Sequence, residues 1–192
     1  MEKKTFFVLV LILLTWQTWA QSASKIKSAT VGFIETLEKN QQDSVFIGFA
    51  DSARTNWTNL PLGLSARKGL RYGNLSEKSK IAFHKVLSSL FSSQGYLKTF
   101  AIMQVDDILH ELFEIQFQQG KVNERSMQFI RKLNWDYGNY FVAIAGNPQT
   151  EDIWGLKFEG HHLSINITAA GDLITMTPLF MGSDPAIVED TQ

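Results

Sequence analysis

Residues 154–168 have the sequence WGLKFEGHHLSINIT, in which strand-like alternation surrounds two adjacent histidines. Apolar side chains occupy even positions up to Phe158 and odd positions from Leu163 onward, with Gly160 between the two sets. Because a strand alternates its faces with a period of two, this change of phase requires an extra residue or a break. We therefore predict one long strand with a β-bulge at Glu159-Gly160.

The predicted bulge sets the direction of the nearby side chains. His161 would enter the apolar row that faces the core, whereas His162 would join a polar row with Ser164 and Asn166. Only the bulge would bring Glu159 and one histidine to a common point. Bulges re-aim side chains and are frequent beside active sites, so this stretch is the first candidate for chemistry.

Upstream of this stretch the apolar residues have helical spacing. The spacing predicts four helices, over residues 22–39, 77–94, 98–119 and 122–133. Ser76 is the predicted N-cap of the second helix, and Gly95 is predicted to end it. From Tyr140 the pattern changes to strands joined by short turns. The chain is thus predicted to be α+β, with N-terminal helices packed on a C-terminal antiparallel β-meander.

The first 20 residues have the composition of a signal peptide. Lys3 and Lys4 precede a short apolar run, and a small-x-small cleavage site stands before Gln21. We predict a signal peptide over 1–20 and a single domain over 21–192, with a retained membrane anchor as the alternative. The chain has no cysteine, which in an exported protein favours a bacterial periplasmic or secreted location.

Charge and motifs exclude several function classes. Removal of residues 1–20 leaves 16 basic and 18 acidic residues, a net charge of −2 without a basic stripe, so no nucleic-acid partner is expected. No membrane partner is expected after signal cleavage. The sequence has no G-x-S-x-G, P-loop or H-E-x-x-H motif, and it lacks a cysteine nucleophile.

The residues around the histidine pair support two kinds of chemistry. Glu159 with His161 or His162 would act in general acid–base catalysis, because imidazole titrates near neutral pH and a carboxylate tunes it. Alternatively, Glu159 with His161 or His162 would form part of a metal site, because catalytic sites commonly use three protein ligands. The third ligand would come from the acidic helix, for instance Asp106, since His161 and His162 point to opposite faces and are not expected to bind one ion together. A third interpretation is structural, with a hydrogen-bonded core histidine at 161 and a surface histidine at 162.

A second group of candidates would contact a small molecule. It consists of Arg54, Trp57, Arg67 and Trp154, in which guanidinium groups suit anions and indole rings suit flat or sugar-like ligands. The first three lie in or next to an irregular stretch over residues 55–74. The alternative is that arginine–carboxylate pairs fasten this loop to the domain.

Several motifs occur together in the order known from one family. They are Arg54-x-x-Trp57-x-x-x-Pro61, Arg67-x-Gly69-Leu70, Gly146-x-Pro148 and Trp154-Gly155-x-x-Phe158-Glu159-Gly160-His161-His162-Leu163-Ser164, followed by Thr177-Pro178. On these motifs, about residues 42–188 resemble the DUF3500 family of mostly bacterial proteins of unknown function. The resemblance implies an exported location and a chain that matches the N-terminal part of longer members. It implies no reaction and no cofactor.

Two functional hypotheses follow. In the first, the chain is an exported, hydrolase-like enzyme that uses Glu159 and the histidines as an acid–base pair or as metal ligands. In the second, it is a non-catalytic periplasmic module that binds a small molecule or a metal ion at the same surface.

Overall fold

A computed structural model describes residues 23–187, in which five helices accompany one six-stranded sheet. The helices are α1 (23–34), α2 (Lys39–Val45), α3 (Glu77–Leu90), α4 (Ser93–Gln118) and α5 (Glu124–Leu133). The strands are β1 (Phe46–Ile47), β2 (Leu70–Arg71), β3 (Phe141–Ala145), β4 (Ile153–Gly160), β5 (Leu163–Ala170) and β6 (Leu173–Met181). The α+β class is confirmed. The predicted signal peptide lies outside the described residues, and none of the described helices is long and apolar enough to cross a membrane.

Strands β3 to β6 form the antiparallel meander that the sequence predicts. Two short strands extend it at the free edge of β3, where β1 pairs in parallel and β2 pairs antiparallel. The sheet is therefore mixed. Strand β6 forms the opposite edge and contains Pro178, a residue that edge strands tolerate because it needs no ladder N–H.

The predicted bulge at Glu159-Gly160 is wrong, because the change of phase marks a β-hairpin. Strands β4 and β5 are separate and pair in register from Gly160 opposite Leu163, which leaves His161 and His162 as the two turn residues. His162 has a φ of 58°, in the left-handed region that non-glycine residues rarely adopt outside turns. A register shift does occur in this sheet, but it lies between β5 and β6 at Ile165 to Ile167.

One face of the sheet packs against the helices and forms the core. Trp154, Leu156 and Phe158 of β4 lie on this face beside Leu163, Ile165 and Ile167 of β5, and all six are buried as the apolar pattern predicts. The helices contribute a complementary apolar layer that includes Phe33, Phe83, Val86, Leu87 and Met103.

The other face of the sheet is covered by the segment over residues 48–69. Three small residues lie on this face, namely Ala143 and Ala145 of β3 and Gly155 of β4. Ala145 pairs with Gly155, and Ala143 pairs with Lys157. They leave room for the segment, and Lys157 on this face donates to the carbonyl oxygens of Ala53 and Asn56. Where the segment reaches the edge of β3, a Cβ added at Gly69 would lie 2.3 Å from the Val142 carbonyl oxygen. The predicted irregular stretch thus serves as a cover for the sheet.

The boundary between the two middle helices differs from the prediction. Ser76 is indeed the N-cap of α3, since its hydroxyl accepts a hydrogen bond from the Ser79 amide. The helix ends at Leu90, however, and Ser92 caps α4 by accepting from the Gly95 amide. Gly95 therefore lies in the first turn of α4 and does not end α3, because the serine cap outweighs the poor helix propensity of glycine.

Candidate functional site

The β4–β5 turn places His161 against helix α4. Its Nδ1 atom lies 2.6 Å from Oδ1 of Asp106, and the Tyr140 hydroxyl lies 3.1 Å from the second carboxylate oxygen. The same hydroxyl is 2.9 Å from the His161 carbonyl oxygen. Asp106 is 3% exposed and His161 is 8% exposed, so this network is almost wholly removed from solvent. Hydrogen bonds in such surroundings are stronger than in water.

The network fixes the orientation of the His161 ring. Because an ionised carboxylate only accepts hydrogen bonds, Nδ1 is the donor in this contact, and in the neutral imidazole Nε2 is then the basic nitrogen. No hydrogen bond joins Nε2 to any residue within 23–187. Burial and the adjacent Asp106 raise the pKa of Tyr140, so this hydroxyl stays protonated as a donor. A base held by a carboxylate through its other nitrogen is the arrangement of many acid–base sites.

Two aromatic rings flank the imidazole. The His162 ring stacks on the His161 ring with a distance of 3.9 Å between centroids. The Trp135 ring lies nearly parallel to the His161 ring, with 6.1 Å between centroids. Burial is the main cause that lowers the pKa of His162, and the neighbouring His161 acts in the same direction. The Nε1 atom of Trp135 is buried without a hydrogen-bond partner in the described part of the chain. His162 therefore does not join the polar row of Ser164 and Asn166, contrary to the bulge prediction.

Glu159 lies on the opposite face of the sheet from this network. One of its carboxylate oxygens is 3.0 Å from Nζ of Lys157, and the other lies 3.4 Å from the Thr58 amide. Strand alternation explains the separation, since Glu159 faces the covering segment while the turn directs His161 to α4. The structure does not bring Glu159 to either histidine, so the expected acid–base pair is replaced by Asp106 and His161.

The residues expected to bind a metal ion are only partly assembled. Asp106 bonds directly to Nδ1 of His161, and His162 stacks on that ring. Residues 23–187 contain no group of three or more acidic or histidine side chains placed to hold a metal ion. His110 and Glu114 follow Asp106 on α4 at intervals of four residues but do not complete a site, since His110 is exposed and Glu114 makes two 2.8 Å hydrogen bonds to Arg131.

Trp57 and Arg67 line a common cavity of about 270 Å³ between the covering segment and β4. Lys157 and Glu159 form its floor on the sheet side. Trp57 is 42% exposed, and its ring packs against the Phe180 ring with 5.7 Å between the ring centroids. Lys157, which is not among the residues expected to form a site, is 7% exposed and donates to the carbonyl oxygens of Ala53 and Asn56. The sequence feature that indicates a buried role for Lys157 is its position between apolar neighbours in a buried strand.

Arg54 and Trp154 do not join that cavity. Arg54 donates to the Phe49 carbonyl at 2.7 Å, stacks over the Phe49 ring at 4.3 Å and lines a separate cavity of about 110 Å³. Trp154 is 2% exposed in the core, so a ligand at the surface cannot reach it. The loop-fastening alternative is supported in part, because Arg71 pairs with Asp136 at 2.8 Å.

The comparisons with known proteins agree with the motifs. A family profile described as a protein of unknown function, DUF3500, matches residues 19–192, which is nearly the whole chain. No curated protein and no solved structure matches the chain significantly. The match begins further towards the N-terminus than the motifs alone indicate. The resemblance is thereby confirmed, and the chain belongs to the DUF3500 family.

Proposed function

We propose that this protein is a hydrolase-like enzyme in which His161 is the general base and Asp106 orients it. The observation that carries the proposal is the 2.6 Å contact between His161 Nδ1 and Asp106, which leaves Nε2 as the basic nitrogen. A base positioned in this way contributes roughly 100-fold or more to proton transfer. The almost complete burial of the carboxylate supports the role, because the negative charge stabilises the imidazolium formed during the reaction.

The proposed reaction uses water as the nucleophile. Nε2 of His161 takes one proton from water while the water oxygen bonds to the electrophilic atom of the substrate. The bond to the leaving group then breaks, and the imidazolium returns that proton to it. Asp106 and Tyr140 act as positioning residues, because they hold the ring and do not touch the reacting atoms.

Chromogenic substrates test the assignment without knowledge of the natural one. We expect the wild type to hydrolyse at least one of p-nitrophenyl acetate, p-nitrophenyl phosphate and p-nitrophenyl β-glucoside. His161→Gln should then lower kcat/KM about 100-fold or more. His110→Gln removes an exposed histidine of α4 and serves as the matched control. Equal rates for wild type and His161→Gln, including no hydrolysis by either, would contradict the proposal.

The positioning role of Asp106 has its own readout. In Asp106→Asn the carboxylate no longer fixes the proton on Nδ1, so we expect nitrogen NMR spectra to show a mixture of His161 tautomers. The pH dependence of kcat should change as well as its magnitude. A variant that keeps one tautomer and the wild-type pH profile would show that Asp106 has only a structural role.

We further propose that the enzyme is exported from a bacterial cell. Support comes from the basic and apolar composition of residues 1–20 and from the absence of cysteine in the chain. Mass spectrometry of the protein recovered from periplasm or medium should give an N-terminus at Gln21. Recovery of the full-length chain from the cytoplasm alone would contradict export.

A further inference from the structure

The cavity beneath the covering segment holds an excess of positive charge. Lys157 and Glu159 form a closed ion pair at 3.0 Å, with side chains only 8% and 5% exposed. Arg67 also lines this cavity, yet no carboxylate of the described residues lies within ion-pair distance of its guanidinium. Buried charges in proteins are usually paired. Lys68, a third cation of the lining, pairs with Asp51 at 2.7 Å. Arg67 is therefore the one cation lining this cavity that has no ionic partner within residues 23–187.

The Arg67 guanidinium has an unused donor. Its terminal nitrogens donate to the backbone carbonyl oxygens of Ser65, Thr58 and Leu60. Its Nε atom is buried and has no hydrogen-bond partner in the part of the chain described. Burial lowers the pKa of Arg67, and Glu159 only partly offsets this effect. The Nη1 atom makes only one hydrogen bond, to the Ser65 carbonyl oxygen, and so keeps a second N–H for an acceptor on a ligand.

The size and rim of the cavity limit the ligand. Its volume of about 270 Å³ lies just below the usual range for drug-sized ligands, so it suits a small molecule. The exposed Trp57 indole stands at the cavity and is supported from behind by Phe180. Indole provides a flat apolar surface for a ring or short chain. Glu159 disfavours multiply charged anions, because like charges repel in such a site.

We propose that this cavity binds a small monocarboxylate. One carboxylate oxygen accepts a hydrogen bond from the Arg67 guanidinium, and the apolar body of the ligand lies against Trp57. A single negative charge balances the single unpaired cation, which favours a monocarboxylate over phosphate. The site goes beyond the proposed function because it uses neither His161 nor Asp106, and a failure of hydrolysis would leave it unaffected.

NMR titration with defined carboxylates tests the proposal directly. Acetate, benzoate and cyclohexanecarboxylate are added as sodium salts to nitrogen-15-labelled protein, and the arginine Nε–H signals are followed. The Arg67 signal is assigned by its loss in Arg67→Lys. We expect at least one carboxylate to shift this signal saturably, whereas sodium chloride at equal ionic strength and sodium phosphate should not.

The variants separate binding from loop stability. Arg67→Lys keeps the charge but removes the guanidinium, so we expect at least a tenfold loss of affinity for the carboxylate. Arg125→Lys changes an exposed arginine of α5 and should bind as the wild type does. Because Arg67→Lys can also loosen the loop, Trp57→Ala provides a second test, with weaker binding expected at an unchanged Tm of the ligand-free protein.

Three results would overturn the proposal. They are no saturable shift with any of the three carboxylates, an equal shift with chloride or phosphate, and wild-type affinity in Arg67→Lys or, where that variant does not fold, in Trp57→Ala. None of these results bears on His161, since that residue is tested by hydrolysis alone.

Discussion

Asp106 lies 2.6 Å from Nδ1 of His161 although 55 residues separate them in the sequence. The contact joins the middle of α4 to the tip of the β4–β5 hairpin. Tyr140, the residue before β3, completes the link through its hydroxyl. One buried network therefore connects three elements that are distant in sequence, and damage to it should affect both stability and chemistry.

We expect Asp106→Asn to destabilise the fold. The amide replaces one acceptor oxygen by an NH₂ group, so either Tyr140 or His161 loses the acceptor for its proton and the network loses the carboxylate charge. A buried polar group that loses its partner costs about 1–3 kcal/mol in the free energy of unfolding. Urea denaturation of the variant beside Glu111→Gln, an exposed position of the same helix, measures the difference. An Asp106→Asn protein as stable as the control would refute the stabilising role of the network.

The sequence predicted much of the fold because apolar spacing reports burial. The six core residues of β4 and β5 were identified from alternation alone, and the N-cap at Ser76 followed from the preference of serine for that position. The hairpin was missed because His161-His162 lacks the Asn-Gly or Asp-Gly signal of a two-residue turn. A change of phase fits a bulge and a turn equally, and only the pairing of β4 with β5 distinguishes them.

The candidate site was predicted less well because its contacts are long-range. Glu159 is two residues from His161 in sequence, yet a strand and a turn direct the two side chains to different sides of the sheet. The sequence indicates Asp106 only as a candidate metal ligand on the predicted helix over residues 98–119, and acidic residues at helical spacing more often form a solvated face. Its burial depends on packing between α4 and the hairpin tip, which sequence spacing does not contain.

The Lys157–Glu159 pair should be strongly coupled. Breaking a buried pair by removing one partner commonly costs about 3–5 kcal/mol, because the other charge is left without compensation. We expect Lys157→Met to be destabilised on this scale, and the double variant Lys157→Met, Glu159→Gln to be less destabilised than the single one. A double-mutant cycle by urea denaturation measures the coupling. Additive effects of the two substitutions would contradict it.

Two glycine-to-alanine substitutions should act in opposite directions. A Cβ at Gly160 would lie 2.2 Å from the Tyr140 ring, which is fully buried and cannot move away. Overpacking of this kind costs about 1–3 kcal/mol. At Gly32 of α1 an added Cβ meets nothing within 4 Å, and alanine favours a helix by up to about 1 kcal/mol. Thermal unfolding should show a lower Tm for Gly160→Ala and a higher Tm for Gly32→Ala.

His84 should make the fold less stable in mild acid. Its ring nitrogens lie 3.1 Å from the Tyr72 hydroxyl and 2.5 Å from the Tyr96 hydroxyl, and the ring stacks on Phe100. Burial is the main cause that lowers the pKa of His84 below its usual value, and Lys80 adds to this effect while Glu77 opposes it.

The sign of the pH effect follows from proton binding. Below a pH of about 6.5 the unfolded chain protonates His84 more readily than the folded protein does, so stability falls as the pH decreases. We expect the free energy of unfolding to drop more for wild type than for His84→Gln between pH 7.5 and pH 5.5, as measured by urea denaturation. His162 contributes in the same direction in both proteins and cancels in the comparison. Identical pH slopes would show that His84 binds protons equally in the folded and unfolded states.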